Sequence, residues 1–137
     1  MRIPRACDAA RPRANGTGMT AIGVDIVEIE RVESAIRDWG QRFLHRVYTD
    51  AELDTCRERH LSLATRFAAK EAVMKVLGTG TKGVSWREIE ILANEDGKPF
   101  VTLHGRALDK AAELGLTQLD VSLSDSKQCA VAVAIGT

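Results

Sequence analysis

Arg66-Phe67-Ala68-Ala69-Lys70-Glu71-Ala72-Val73-Met74-Lys75 is the stretch whose reading decides how the rest of the chain is understood. It holds neither Pro nor Gly, and Ala, Lys, Glu and Met are strong helix formers. Residues four apart share a helix face. Phe67, Glu71 and Lys75 therefore form one row, with Arg66 and Lys70 in the row beside it. A carboxylate flanked by cations on a short helical surface suits a metal ion bound to a phosphate ester. The acid holds a hard cation while amines and guanidinium neutralise phosphate oxygens. The plainer alternative is a solvated face with Glu–Lys pairs at helical spacing, each contributing only a few tenths of a kcal/mol.

Working outward, the helix extends from about Leu61 to Leu77, with Gly78 as its C-terminal stop. Far upstream lies Ala21-Ile22-Gly23-Val24-Asp25-Ile26-Val27, followed by Glu28-Ile29-Glu30-Arg31. This reads as a buried apolar strand, about 20–26, interrupted by one acid. An Asp among Ile and Val is costly to bury unless it is paired or metal-bound. The alternative is that Asp25 caps the next helix. Gly23 permits close approach by another backbone or a ligand.

Gly23–Arg31, GVDIVEIER, and Arg66–Lys75, RFAAKEAVMK, resemble the two signature motifs of the 4′-phosphopantetheinyl transferases, in their short bacterial form, the holo-acyl-carrier-protein synthases. The resemblance covers nearly all of 19–135. Further stretches fall in the expected order: Phe43 to Leu53, Leu77-Gly78-Thr79-Gly80, Ile89-Glu90-Ile91, Gly97-Lys98-Pro99 and Val121-Ser122-Leu123-Ser124.

The resemblance implies an α+β, 4′-phosphopantetheinyl transferase-like fold with an antiparallel sheet packed against a long central helix. It implies an enzyme that moves the phosphopantetheine arm of coenzyme A onto a serine of apo acyl carrier protein in fatty acid biosynthesis. The leaving group is adenosine 3′,5′-bisphosphate. Asp25 and Glu71 match the metal-binding acids, with Mg2+ as the ion. Lys75 matches the lysine that stabilises charge on the phosphates. Glu71, directly or through a metal-bound water, is the candidate base. Arg66 and Lys70 are candidates for coenzyme A phosphates. Arg31, and less directly Arg42 and Arg46, are candidates for docking the acidic helix of the carrier. Short members form homotrimers with the active site at a subunit boundary, and small Val and Ala residues in Cys129–Ile135 fit burial against neighbours. One departure stands out: Asp125 occupies a position where many members carry His, near the coenzyme site. An Asp there repels phosphate unless it pairs with Lys127.

Composition narrows the field. The chain has 137 residues, 45% hydrophobic and 28% charged, in the range of an ordinary globular domain. No apolar run approaches the roughly 20 residues of a membrane helix. A formal net charge of zero argues against a nucleic-acid binder. Three cysteines with no CxxC point to neither a disulfide framework nor a zinc site, and to a cytoplasmic setting. Residues 1–18 hold four arginines against one aspartate and show no periodicity. They read as a disordered extension ahead of one domain, 19–137, with Met19 as an alternative start.

The remaining elements follow from local signals. A helix is expected at about 28–37 and a shorter one at 41–47. Thr49 and Glu52 form a capping box for a third, running to about Glu58. Gly78 to Gly83 reads chiefly as helix termination, although Lys82 stands within reach of a phosphate. Strands are expected at 89–94 and 99–103 around an Asp96-Gly97 turn. A helix at 105–114 precedes paired strands at 119–124 and 128–135. Two other classes stay open at this point: a non-catalytic binder of coenzyme A or carrier, and a metal-dependent phosphohydrolase.

Overall fold

The structure, a computed structural model, describes residues 20–137. The expectations for residues 1–18 and for Met19 lie outside the described residues. Strand β1, Ala21–Glu28, leads into helix α1, Ile29–Trp39, and then α2, Gln41–Val47. Helix α3, Asp50–Cys56, is followed by the central helix α4, His60–Leu77. A 3-10 turn at Trp86–Glu88 opens the hairpin β2, Ile89–Ala93, and β3, Pro99–Leu103. Helix α5, Gly105–Glu113, precedes β4, Leu119–Asp125, and β5, Cys129–Gly136.

Two antiparallel sheets result. One is three-stranded, in the order β1-β5-β4; the other is the β2-β3 hairpin. The inward side of β5 is alanine, with Ala130, Ala132 and Ala134 all fully buried. The middle of α4 is also small, through fully buried Ala68, Ala69 and Ala72, the last against Gly23 of the sheet. Small residues on both surfaces let the helix lie close on the sheet, where dispersion contacts are dense.

Gly23 is the tightest point of that approach. A Cβ there would overlap the carbonyl oxygen of Ala72 and crowd Lys75 Cβ at 3.1 Å. The close neighbour is therefore helix backbone, and this contact fixes which residues of β1 lie opposite which residues of α4.

Local signals held where they concerned caps. Thr49 Oγ accepts from the Glu52 amide at 3.2 Å, while Glu52 accepts from the Thr49 amide at 2.8 Å. Gly78 is left-handed at φ +72° and closes α4, its amide reaching the Lys75 carbonyl. The third helix is shorter than expected because Arg57 and Glu58 turn to positive φ and break it. Strand β1 departs from the reading of a buried strand. Its residues alternate, with Gly23 and Val27 inward and Ile22, Val24 and Ile26 outward at 66%, 53% and 65% exposure. Asp25 lies within β1, and α1 starts four residues later without a side-chain cap, so Asp25 is not a helix cap.

Candidate active site

Asp25 and Glu71 meet where β1 crosses α4. Asp25 points inward by strand alternation, like Gly23 and Val27, and its side chain is 11% exposed. Its Oδ1 accepts from Lys75 Nζ at 3.3 Å, while Nζ also donates to the Val24 carbonyl at 2.7 Å. Asp25 Oδ2 is buried and has no hydrogen-bond donor among the described residues. An orphaned buried carboxylate oxygen is costly unless a cation or proton occupies it.

Glu71 feels that environment. Burial, first, then the neighbouring Asp25 carboxylate, which favours a protonated partner both as a hydrogen-bond acceptor and by its negative charge, push its pKa up to about 7. Lys75 and Arg31 pull the other way. Two acids are thus held together in the fold with too few cations between them. One orphaned oxygen, a half-buried partner acid and a lysine at the rim fit a hard divalent ion. Among the described residues no group of three or more His, Cys, Asp or Glu forms a complete metal cage. Mg2+ usually takes one or two carboxylates and leaves its other positions to phosphates and waters, so a two-acid site suits it.

Lys70, by contrast, is not at this site. The expectation that it meets a coenzyme phosphate is corrected by its burial: the side chain is 0% exposed. Nζ donates to Glu52 Oε1 at 2.7 Å, to the Trp86 carbonyl at 3.0 Å and to the Ile89 carbonyl. Burial lowers its pKa, opposed by the Glu52 charge and hydrogen bond. Helical spacing placed Lys70 beside Glu71 but carried no information on which side of α4 faces the core.

Arg66 is only half withdrawn. Its guanidinium donates to the Ile91 and Ser62 carbonyls at 3.2 and 3.3 Å. It lines a recess of about 420 Å³ with Lys98, Pro99 and Ser122, apart from the two acids. Lys75 is brought to Asp25 and remains 55% exposed. Arg31 is exposed and close enough to act on Glu71 electrostatically. Asp125 is exposed at the end of β4 and, among the described residues, forms no ion pair with Lys127.

Arg42 and Arg46 line a groove of about 450 Å³ whose other walls are Trp39, Phe43, Val47, Phe67 and Trp86. Phe67 stacks on Trp86 with centroids 4.7 Å apart, and Arg42 lies 6.0 Å over the Trp39 ring. Reading the motifs alone missed this groove. The available signal was scarcity: four of only six aromatic residues in the chain line it.

The sequence model of the 4′-phosphopantetheinyl transferase superfamily matches residues 21–134, which span both acids and both motifs. The chain belongs to this superfamily. Within it, the chain groups with the holo-[acyl-carrier-protein] synthases, and it is a transferase. The synthase of Herpetosiphon aurantiacus is 48% identical over 125 residues, covering 86% of this chain and 98% of that protein. That of Dehalococcoides mccartyi is 50% identical over 117 residues, covering 85% and 98%. The crystal structure of the Helicobacter pylori synthase in complex with coenzyme A is 32% identical with a TM-score of 0.78, covering 85% of this chain and 99% of that one. The Neisseria meningitidis synthase is 37% identical with a TM-score of 0.77, over 85% and 97%. Among the described residues no helix is long and apolar enough to cross a membrane.

Proposed function

We propose that this phosphopantetheinyl transferase moves 4′-phosphopantetheine from coenzyme A to a serine of apo acyl carrier protein in fatty acid biosynthesis, with Mg2+ held by Asp25 and Glu71. The observation that carries the proposal is the convergence of these two acids, one with an oxygen that has no donor. The serine oxygen attacks the β-phosphorus of the pyrophosphate. The new P–O bond forms as the bond to adenosine 3′,5′-bisphosphate breaks, and the serine proton is lost to a base. Phosphoryl transfer of this kind depends mainly on positioning and charge neutralisation.

Asp25 and Glu71 would hold Mg2+, which would supply neutralisation of the charge on the pyrophosphate. Glu71, directly or through a metal-bound water, is the candidate proton acceptor. Lys75, already within reach of Asp25 and still exposed, stabilises charge on the phosphates. Arg66, open to its recess beside Lys98, is a second contact for coenzyme phosphate. Lys70 has no part in phosphate binding.

The carrier docks through Arg31, Arg42 and Arg46. The last two border the aromatic groove, so an acidic amphipathic helix finds both charge and an apolar seat there. The outward face of the three-stranded sheet supports a homotrimer. Ile22, Val24 and Ile26 stand directly across from Ile135, Val133 and Val131, a β-branched surface favouring burial against another copy. Asp25 belongs to the same strand on its inward side, so the subunit boundary would lie against the strand that carries one of the two acids. The setting proposed is the cytoplasm.

Incubating apo acyl carrier protein with this chain, coenzyme A and Mg2+ tests the reading by intact mass. One phosphopantetheinyl group should be added to the carrier, and chelating the metal should stop the reaction. A binding module would take up coenzyme A and leave the carrier mass unchanged. Release of bisphosphate without any carrier would favour a phosphohydrolase.

A further inference from the structure

Lys70 is a charged residue sealed in the core, one position before the candidate metal ligand Glu71. Its ammonium has three hydrogens and three acceptors: Glu52 Oε1, the Trp86 carbonyl and the Ile89 carbonyl. Glu52 is equally committed. Oε1 also accepts from the Thr49 amide at 2.8 Å, and Oε2 accepts from the Ile91 amide at 3.0 Å. The cluster joins α4 to the start of α3, the 3-10 turn and β2. A side chain absent from the exposed site yet fully hydrogen-bonded needs an explanation other than phosphate binding.

The surface of α4 supplies one. Around its middle the buried residues Ala64, Ala68, Ala69 and Ala72 are methyl-sized, while the larger buried residues Leu63, Val73, Met74, Val76 and Leu77 lie toward its two ends. A smooth middle packs closely but adds few knobs of its own to those at the ends, so directional contacts there sharpen the roll of the helix about its axis. Apolar packing under those conditions loses uniqueness before it loses stability. Consecutive residues on a helix lie about 100° apart, at 3.6 residues per turn. Any roll that swings Glu71 off Asp25 therefore drags the Lys70 ammonium away from its three acceptors.

We propose that Lys70 is a positioning residue, whose buried contacts with Glu52 and the Trp86 and Ile89 carbonyls act together with the Gly23–Ala72 approach to set the roll of α4 that brings Glu71 onto Asp25. The inference rests on the Mg2+ transfer reading for its catalytic consequence, but its structural claim concerns only where Glu71 points. Buried ion pairs are often replaceable by apolar groups of similar volume without loss of stability, while buried polar groups specify register in the best-attested cases. Stability and site geometry are therefore separable here.

The test is the double variant Lys70→Met with Glu52→Leu, which removes both charges together. Thermal unfolding should show a folded, cooperative variant, less stable than the parent because the Thr49 and Ile91 amides lose their acceptor. Calorimetry of Mg2+ binding to the coenzyme-free protein should show affinity weakened at least about tenfold, since the acids no longer converge. In the transfer assay kcat should fall about a hundredfold, the scale associated with a 1 Å misplacement, with the KM for carrier protein unchanged. A folded double variant with parental Mg2+ affinity and kcat overturns the proposal. If it does not fold, Lys70→Met with Glu52→Gln, which keeps an acceptor for the Ile91 amide, takes its place under the same readouts. Failure of both to fold makes the pair a stability element only and also overturns the proposal. A parent chain that binds Mg2+ yet transfers nothing would instead count against the proposed function, leaving the calorimetric arm to judge Lys70.

Discussion

Lys70 and Glu71 are consecutive residues on one helix, yet their surroundings are opposite. Around Lys70 every donor and acceptor is matched: one ammonium, one carboxylate, two carbonyls and two amides. Around Glu71 the account is open: two acids, one lysine at the rim and one carboxylate oxygen with no donor. The contrast shows how a fold separates holding from acting. A saturated cluster has no valence left for a ligand. An under-satisfied one is poised to take a cation, and the surrounding packing keeps it from relaxing.

The sharpest way to break the contrast is to unbalance the saturated side. Glu52→Ala leaves Lys70 as an uncompensated buried charge, which costs about 3–5 kcal/mol. Chemical denaturation should read that loss, and the variant should be far less stable than the double apolar replacement.

The open side should behave the other way. Asp25→Asn and Glu71→Gln remove like-charge repulsion, so melting of the metal-free protein at neutral pH should show no loss of stability. Transfer should nevertheless drop by about 10²–10³-fold, the scale for losing one preorganised electrostatic contact. A variant of either residue that keeps parental transfer rates would remove that acid from the site.

Gly23 couples the two sides, because it lets β1 lie against α4. Gly23→Ala forces a methyl into the Ala72 carbonyl, an overpacking expected to cost about 1–3 kcal/mol. Transfer should decline together with stability, since both acids move apart as the strand backs off.

The smallest effect is a titration. Glu71 has its folded pKa raised from 4.5 to about 7. A raised carboxyl contributes stability that is full below pH 4.5 and is lost as pH climbs through about 7. The metal-free protein should therefore lose melting temperature across that window, and Glu71→Gln should flatten this part of the slope. Metal binding needs the ionised form, so near pH 7 Mg2+ should release about half a proton from Glu71. Calorimetry in buffers of different ionisation enthalpy measures that release.

Much of the architecture was legible because it is written in local chemistry. The Thr49–Glu52 box, the Gly78 stop, the α2 span and the hairpin turn each depend on a few adjacent residues whose backbone preferences leave little choice. The pairing of Asp25 with Glu71 was legible too, through the resemblance of two motifs rather than through any distance a sequence can state. Other features were invisible for a definite reason. The outward residues of β1 look like core residues because alternation does not say that both faces are not covered. The aromatic groove draws on α1, α2, α4 and the 3-10 turn, so no single window contains it.

By itself, then, the order of residues determined which helices and strands form and in what order, since caps and turns act over a handful of neighbours, while ends such as that of α3 shifted by a residue or two. It also determined that the chain carries two acids and two lysines in motif positions. Which lysine faces the core and which faces the acids was decided only in three dimensions. Helical spacing fixes the angle between Lys70 and Glu71, but the roll of the helix depends on partners brought from residues 49, 52, 86, 89 and 91, which only the folded chain assembles.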